Sequence, residues 1–143
     1  MLQRKVAVVT DAARGIGRAI VAIDIAGYVF PASNAVPATP ERLDETVRMI
    51  KEFGRRREGV KADIRDTSAL CQIADRIEWD YGKIDIVVAD AAIQRWAPLL
   101  EMEDSDWHDV IDNNLNGTAK TMRAFAPKMV AWKKGRFILL SSM

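Results

Sequence analysis

Lys5-Val6-Ala7-Val8-Val9-Thr10-Asp11-Ala12-Ala13-Arg14-Gly15-Ile16-Gly17 is the stretch on which the fold turns. Its first six residues form a short valine-rich run, the pattern of a strand buried on both faces of a parallel sheet. A turn containing small residues and two glycines follows at once, and then a helix start. In that order of elements a dinucleotide pyrophosphate is held by backbone N–H groups and by the positive end of the helix dipole. A purely structural glycine turn explains the same thirteen residues equally well, so the rest of the chain has to decide.

Three further runs resemble the first: Gly59 to Ile64 (GVKADI), Ile84 to Ala89 (IDIVVA) and Arg136 to Ser141 (RFILLS). Each is bounded by a polar residue or a glycine and reads as a strand. Helical patterns lie between them. One has Thr39 as N-cap, Pro40 at the first helical position and Glu41 in the first turn, with Leu43, Val47 and Ile50 on one face and Gly54 as a stop. Another starts near Thr67 or Ser68, aligns Leu70, Ile73, Ala74 and Ile77, and ends at Gly82. The longest spans about residues 106–131, with Trp107, Ile111, Leu115, Thr118, Met122, Phe125 and Met129 at spacings of three and four, and with Gly117 and Pro127 as points where it could break. Strands alternating with helices predict βαβ units and a mostly parallel sheet. Pro31 to Pro40 (PASNAVPATP) reads as a loop.

The 143 residues suffice for one domain with a real core. Twenty-one basic and 20 acidic residues are interspersed, giving a net charge of +1. That balance offers no electrostatic basis for nucleic acid or an anionic membrane as partner. The one basic run, Arg55-Arg56-Arg57, follows a predicted helix, where cations complement the negative end of the dipole. Neither a signal-peptide core nor a spanning segment is visible, so the expected location is the cytoplasm. The single cysteine, Cys71, sits in a helical pattern beside Leu70 and reads as a buried structural thiol. The single histidine, His108, reads as a surface or packing residue, because no metal-ligand partners accompany it.

Residue by residue, the chain resembles the short-chain dehydrogenase/reductase family. Thr10, Gly15 and Gly17 match the family's T-G-x-x-x-G-x-G turn, with Arg14 and Ile16 inside it. Asp63, followed by Ile64, matches the aspartate that contacts adenine. Asp90-Ala91 stands where the family has the start of its N-A-G turn, Asn114 matches its helix asparagine, and Ser142 matches the catalytic serine that ends a strand. Asp24 matches the acidic residue that accepts hydrogen bonds from the ribose and repels a 2′-phosphate, which favours NAD over NADP; the alternative is that Asp24 merely begins a turn. The segment from Asp24 through Asp66 is similar to the carveol dehydrogenase and mycofactocin-associated subgroup, implying a hydrophobic secondary alcohol or ketone as substrate. The resemblance therefore implies hydride exchange between NAD and an alcohol or ketone, with Ser142 polarising the substrate oxygen and Asn114 holding a water in a proton relay. A compact receiver-like α/β regulator suits the length but not Asp63, Asn114 and Ser142 in this order.

Four departures qualify that expectation. The family uses a tyrosine as general acid/base with a lysine four residues later, since an unperturbed phenol titrates about three units above neutral pH. The only tyrosines, Tyr28 and Tyr81, have Ala32 and Asp85 four positions on. Asp11 stands where the turn expects its first glycine, placing a carboxylate against a phosphate. Asp90 and Ala92 replace an asparagine and a glycine. Only six residues separate Gly17 from Asp24, where a parallel crossover needs a dozen or more; either Arg18 to Ile25 extends the first helix, or a strand survives in a displaced position. The expected fold is thus a single partial dinucleotide-binding domain over residues 1–143: α/β, Rossmann-type, doubly wound and mostly parallel, with a shortened first crossover helix and the C-terminal third absent. The expected chain is inactive alone; the other reading is a non-catalytic fragment or interaction module that forms homo-oligomers through the long helix 106–131.

Overall fold

A computed structural model describes residues 5–21, 40–51 and 58–141. Three parallel strands form its centre: β1 (Ala7–Val9), β2 (Ile86–Ala89) and β3 (Arg136–Leu139), in that spatial order. Val8 lies opposite Val87, and Val87 opposite Phe137. Side chains of successive strand residues point to opposite faces, so β1 and β2 each feed two cores. Val8 and Val87 pack with Leu70, Ala74, Ala124, Phe125 and Met129 on one face. Val9 and Val88 pack with Ala12 on the other, where Ile20 and Leu140 join them. This double coverage explains the near-continuous apolar runs of β1 and β2, whereas Ile138 and Leu139 of β3 stay about half exposed.

Five helices flank the sheet among the described residues: α1 (Gly15–Val21), α2 (Pro40–Lys51), α3 (Thr67–Tyr81), α4 (Asp104–Val110) and α5 (Thr118–Ala131). Both ends of α3 are fixed by local chemistry. The Asp66 carboxylate accepts from the Ala69 N–H at 3.0 Å, and Gly82 ends the helix in the left-handed region at φ 77°. α4 and α5 are joined by a π-helical segment, Ile111–Gly117, so the predicted long helix is continuous but changes its winding midway. Gly117 does not break it; the residue lies at φ −62°, and a Cβ there would come within 2.6 Å of Ile64. Pro127 is accommodated inside α5.

Three expectations are corrected. The run Gly59–Ile64 forms no strand among the described residues. A strand exists only through its ladder partner, and the other side of β1 has none in the described chain; Gly59 packs instead toward Leu43 and Val47 of α2. Cys71 is exposed, not buried, because the inward stripe of α3 is set by Leu70 and Ala74 and residue 71 lies about 100° around from Leu70. The long helix starts at Asp104, not Asp106. Arg18–Val21 continue α1, which favours the first of the two readings of the shortened crossover as far as Val21. Asp24, Tyr28, the proline-rich loop, Thr39, Gly54, Arg55–Arg57 and Ser142 lie outside the described residues.

Candidate nucleotide-binding site

The C-terminal edge of the sheet carries two turns, one after β1 and one after β2, and a single hydroxyl latches them together. Buried Thr10 donates its backbone N–H to the Val88 carbonyl at 3.0 Å, and its Oγ1 accepts from the Asp90 and Ala91 N–H groups at 3.0 and 2.8 Å. Without that hydroxyl the two amides would lose their acceptor. Thr10 thus shapes the site from beneath.

The glycines of the first turn divide their labour. Gly15 lies at φ +52° with no atom within 4 Å of an added Cβ, so open space lies above it. Gly17 is enclosed: a Cβ there would come within 2.4 Å of the Asp11 carbonyl oxygen and 2.8 Å of Asp90 Oδ2. Ile16 is exposed and contributes its backbone to the turn. Arg14 accepts the Arg18 N–H through its carbonyl at 2.8 Å, opening α1.

Asp11 is the strained member. It occupies the left-handed region at φ 54°, a conformation that favours glycine. Its Oδ1 is buried without a hydrogen bond, 3.6 Å from Arg14 Nε. Burial pushes its carboxyl up to about 6, the Asp90 charge adds to that, and Arg14 only partly opposes it. Asp90 is raised as well, by burial first, with the Gly17 N–H and Arg14 pulling against the shift. Two carboxyls therefore flank the turn where a diphosphate would lie.

Asn114 projects from the π-helical segment and pairs with one residue of the second turn. Its Oδ1 accepts from the Ile93 N–H and its Nδ2 donates to the Ile93 carbonyl, each at 2.9 Å. The neighbouring Asn113 is the buried one, donating Nδ2 to the Asp109 carbonyl at 2.9 Å. Asp63 and Ile64 lie on the turn before α3. Ile64 is buried against Gly117, while Asp63 is gripped by Arg65 through both carboxylate oxygens. Sequence reading missed Arg65 and its partner Asp109, 3.9 Å away; the only signal was a basic residue two positions after Asp63. Of the predicted residues, the structure gathers Thr10, Arg14, Gly15, Ile16, Gly17, Asp90 and Ala91 around the two latched turns. Asn114 is tied in through Ile93, and Asp63 and Ile64 through the π-helical segment.

The pieces fit a dinucleotide in backbone shape: a left-handed glycine under open space, and two turns fixed side by side where parallel strands end. They oppose its charge at Asp11. No group of three or more metal-ligating side chains occurs among the described residues, and no helix there is long and apolar enough to cross a membrane.

A doubly wound α/β protein in which a glycine-bearing turn after the first parallel strand is latched to the turn after its neighbour belongs to the nucleotide-binding class of that architecture. The sequence profile described as short chain dehydrogenase matches residues 5–143, and the chain belongs to that family. It is 40% identical over 154 residues to an uncharacterised NAD-dependent oxidoreductase of Mycobacterium tuberculosis, covering 99% of this chain and 56% of that one. It is similar to the crystal structure of carveol dehydrogenase from Mycobacterium avium in complex with NAD, at TM-score 0.88 and 35% identity, over 96% of this chain and 54% of that one. A metagenomic short-chain oxidoreductase in complex with NADP matches at TM-score 0.85 and 30% identity, over 99% and 64% of the two chains. The chain spans about half the length of the curated relatives it matches.

Proposed function

We propose that residues 1–143 form a single partial domain, the nucleotide-binding portion of an NAD-dependent oxidoreductase that exchanges a hydride with an alcohol or ketone. The observation that carries this reading is the latch of Thr10 Oγ1 on the Asp90 and Ala91 N–H groups, which sets the two turns side by side at the end of β1 and β2. The NAD-dependent relative and the NAD-bound carveol dehydrogenase support it. NAD is favoured over NADP through Asp24, whose carboxylate would repel a 2′-phosphate. The similarity to carveol dehydrogenase also supports a hydrophobic secondary alcohol or ketone. The dinucleotide, when bound, supplies the hydride acceptor. The chain's own residues orient it: backbone around Gly15 and Gly17 for the diphosphate, Asp63 and Ile64 for the base, Asp90 and Ala91 along its length. Asn114 fixes the Ile93 turn beside it, and Ser142 would polarise the substrate oxygen. Residues 1–143 contain no Tyr-x-x-x-Lys, so these residues by themselves bind cofactor without turning it over. A cytoplasmic location suits the unpaired, exposed Cys71.

Calorimetric titration of the 143-residue chain with NAD and NADP, paired with an NADH absorbance assay over a panel of alcohols, tests this. Saturable NAD binding tighter than NADP and no absorbance change are expected. Absence of binding for either dinucleotide at millimolar concentration overturns the nucleotide reading, and robust turnover overturns the inactivity.

Exposed apolar residues favour a second reading, association through the long helix. Trp107 and Leu115 are 58% and 63% exposed along α4 and the π-helical segment, with Val130 and Trp132 exposed at the end of α5. Sedimentation velocity at several micromolar concentrations should then give a dimer or larger species that Trp107→Glu shifts toward monomer. A monomer at every concentration rules this reading out.

A further inference from the structure

The turn before α3 is fixed from more sides than a surface turn requires. The Asp63 carbonyl accepts from the Asp66 N–H at 2.9 Å. Lys120 of α5 donates its Nζ to the Arg65 carbonyl at 2.9 Å, and the Ile64 side chain fills the notch left by Gly117. Arg65 then closes on Asp63 with three donors. Its backbone N–H reaches Oδ1 at 2.8 Å, Nε bridges Oδ1 and Oδ2 at 3.2 and 3.1 Å, and Nη2 reaches Oδ2 at 3.0 Å. The remaining guanidinium nitrogen faces Asp109 at 3.9 Å, and Asp109 is itself held by Arg95 at 3.2 Å. A fork of this kind fixes the plane of a carboxylate, which a single contact does not. About a third of the Asp63 side chain stays accessible, so a carboxylate locked at both oxygens still faces solvent.

We propose that Arg65 is a positioning residue for base selection: it locks the Asp63 carboxylate in the orientation that accepts the 6-amino group of adenine, and Asp109 anchors it. The proposal rests on the nucleotide reading above. An ionised carboxylate has only acceptors. It is complementary to a purine bearing a 6-amino donor and repels one bearing a 6-carbonyl, and the discrimination is sharpest when the carboxylate cannot turn away. Without Arg65 the carboxylate keeps its backbone contacts nearby but is free to rotate, so the carbonyl-bearing base loses its penalty and the amino-bearing base loses its pre-set acceptor.

The test is calorimetric titration of the wild-type chain and of Arg65→Ala, Arg65→Lys and Asp109→Asn, each with NAD and with nicotinamide hypoxanthine dinucleotide, whose base carries a 6-carbonyl. Wild type is expected to prefer NAD by on the order of tenfold or more, the size of one charge-assisted hydrogen bond. Both Arg65 variants should bring that ratio toward one, with Asp109→Asn intermediate. Arg65→Lys keeps the charge and the fold while removing the fork, so it reports even if the alanine variant is unstable. A merely structural role would weaken both ligands in parallel and leave the ratio unchanged; that result overturns the proposal, as does a wild type that binds both dinucleotides equally. A wild type that binds neither dinucleotide instead fails the nucleotide reading, and this proposal with it.

Discussion

Replacing Asp11 with glycine is expected to tighten NAD binding on the order of a hundredfold at pH 7. A carboxylate about 4 Å from a phosphate at an effective dielectric near 20 is repelled by roughly 4 kcal/mol, and Arg14 at 3.6 Å relieves part of that. Calorimetric titration checks the gain, and superimposable isotherms for the two proteins would refute it. The same substitution removes a cost from the fold itself. Asp11 is raised from 3.8 to about 6, so the folded chain holds a proton that the unfolded chain has released. Stability linked to this group is fully present below about pH 4 and is lost as pH rises through about 6. Above that pH the two-unit shift corresponds to roughly 3 kcal/mol, and the left-handed backbone adds about 1 kcal/mol, a sum offset by about 1 kcal/mol for the greater entropy of unfolded glycine. Asp11→Gly should therefore be about 2–3 kcal/mol more stable at pH 7, and the advantage should shrink toward zero by about pH 4. Paired denaturant melts at the two pH values measure this slope; a pH-independent difference would assign the effect to backbone strain alone.

Gly17→Ala is expected to be the most damaging single methyl in the first turn. Its Cβ would stand 2.4 Å from the Asp11 carbonyl oxygen, 2.8 Å from the Asp11 carbonyl carbon and 2.8 Å from Asp90 Oδ2. Two of those atoms are backbone, and they belong to the turn that Thr10 ties to β2, so they cannot rotate aside as a flexible side chain would. Overpacking against fixed backbone costs on the order of 3 kcal/mol, which lowers the midpoint of a chain this size by roughly 10 °C. Gly15→Ala is the matched comparison. It meets nothing within 4 Å and suffers only from its φ of +52°, a cost of about 1–2 kcal/mol. A Gly17→Ala midpoint within about 2 °C of wild type would mean the two turns are not pinned as described.

These two effects mark the boundary of what the residue string conveys. β1 and β2 were legible because a strand covered on both faces is apolar on both, and Val8-Val9 and Val87-Val88 are; β3 was legible from the same kind of run, Phe137-Ile138-Leu139, although Ile138 and Leu139 stay about half exposed. α3 was legible because its inward stripe and its glycine stop are local. The run Gly59–Ile64 misled for the converse reason: its composition is that of a strand, but pairing belongs to a neighbour. Cys71 misled because a helical pattern names an apolar face without fixing how wide that face is. At the site, the turn glycines, Asp63, Asp90 and Asn114 could be picked out by type and order. Their work could not. Thr10 is a latch beneath the crevice, Asn114 holds Ile93, and Arg65 grips Asp63, and each of these relations joins groups with no periodic or compositional signature.

The sequence by itself determined the positions of β1, β2, β3 and α3, the family, and the presence of an acidic residue where the first turn expects glycine, because hydrophobic period, caps and turn residues act within a few positions of themselves. Only the tertiary structure decided that Asp11 is buried beside Asp90 and Arg14, that Gly17 has no room for a methyl, and that a π-helical segment joins the turn of Asp63 to that of Ile93. Those facts depend on which atoms meet across as many as 81 positions of chain, as Thr10 and Ala91 do, and burial, charge coupling and close approach are properties of such meetings rather than of any residue alone.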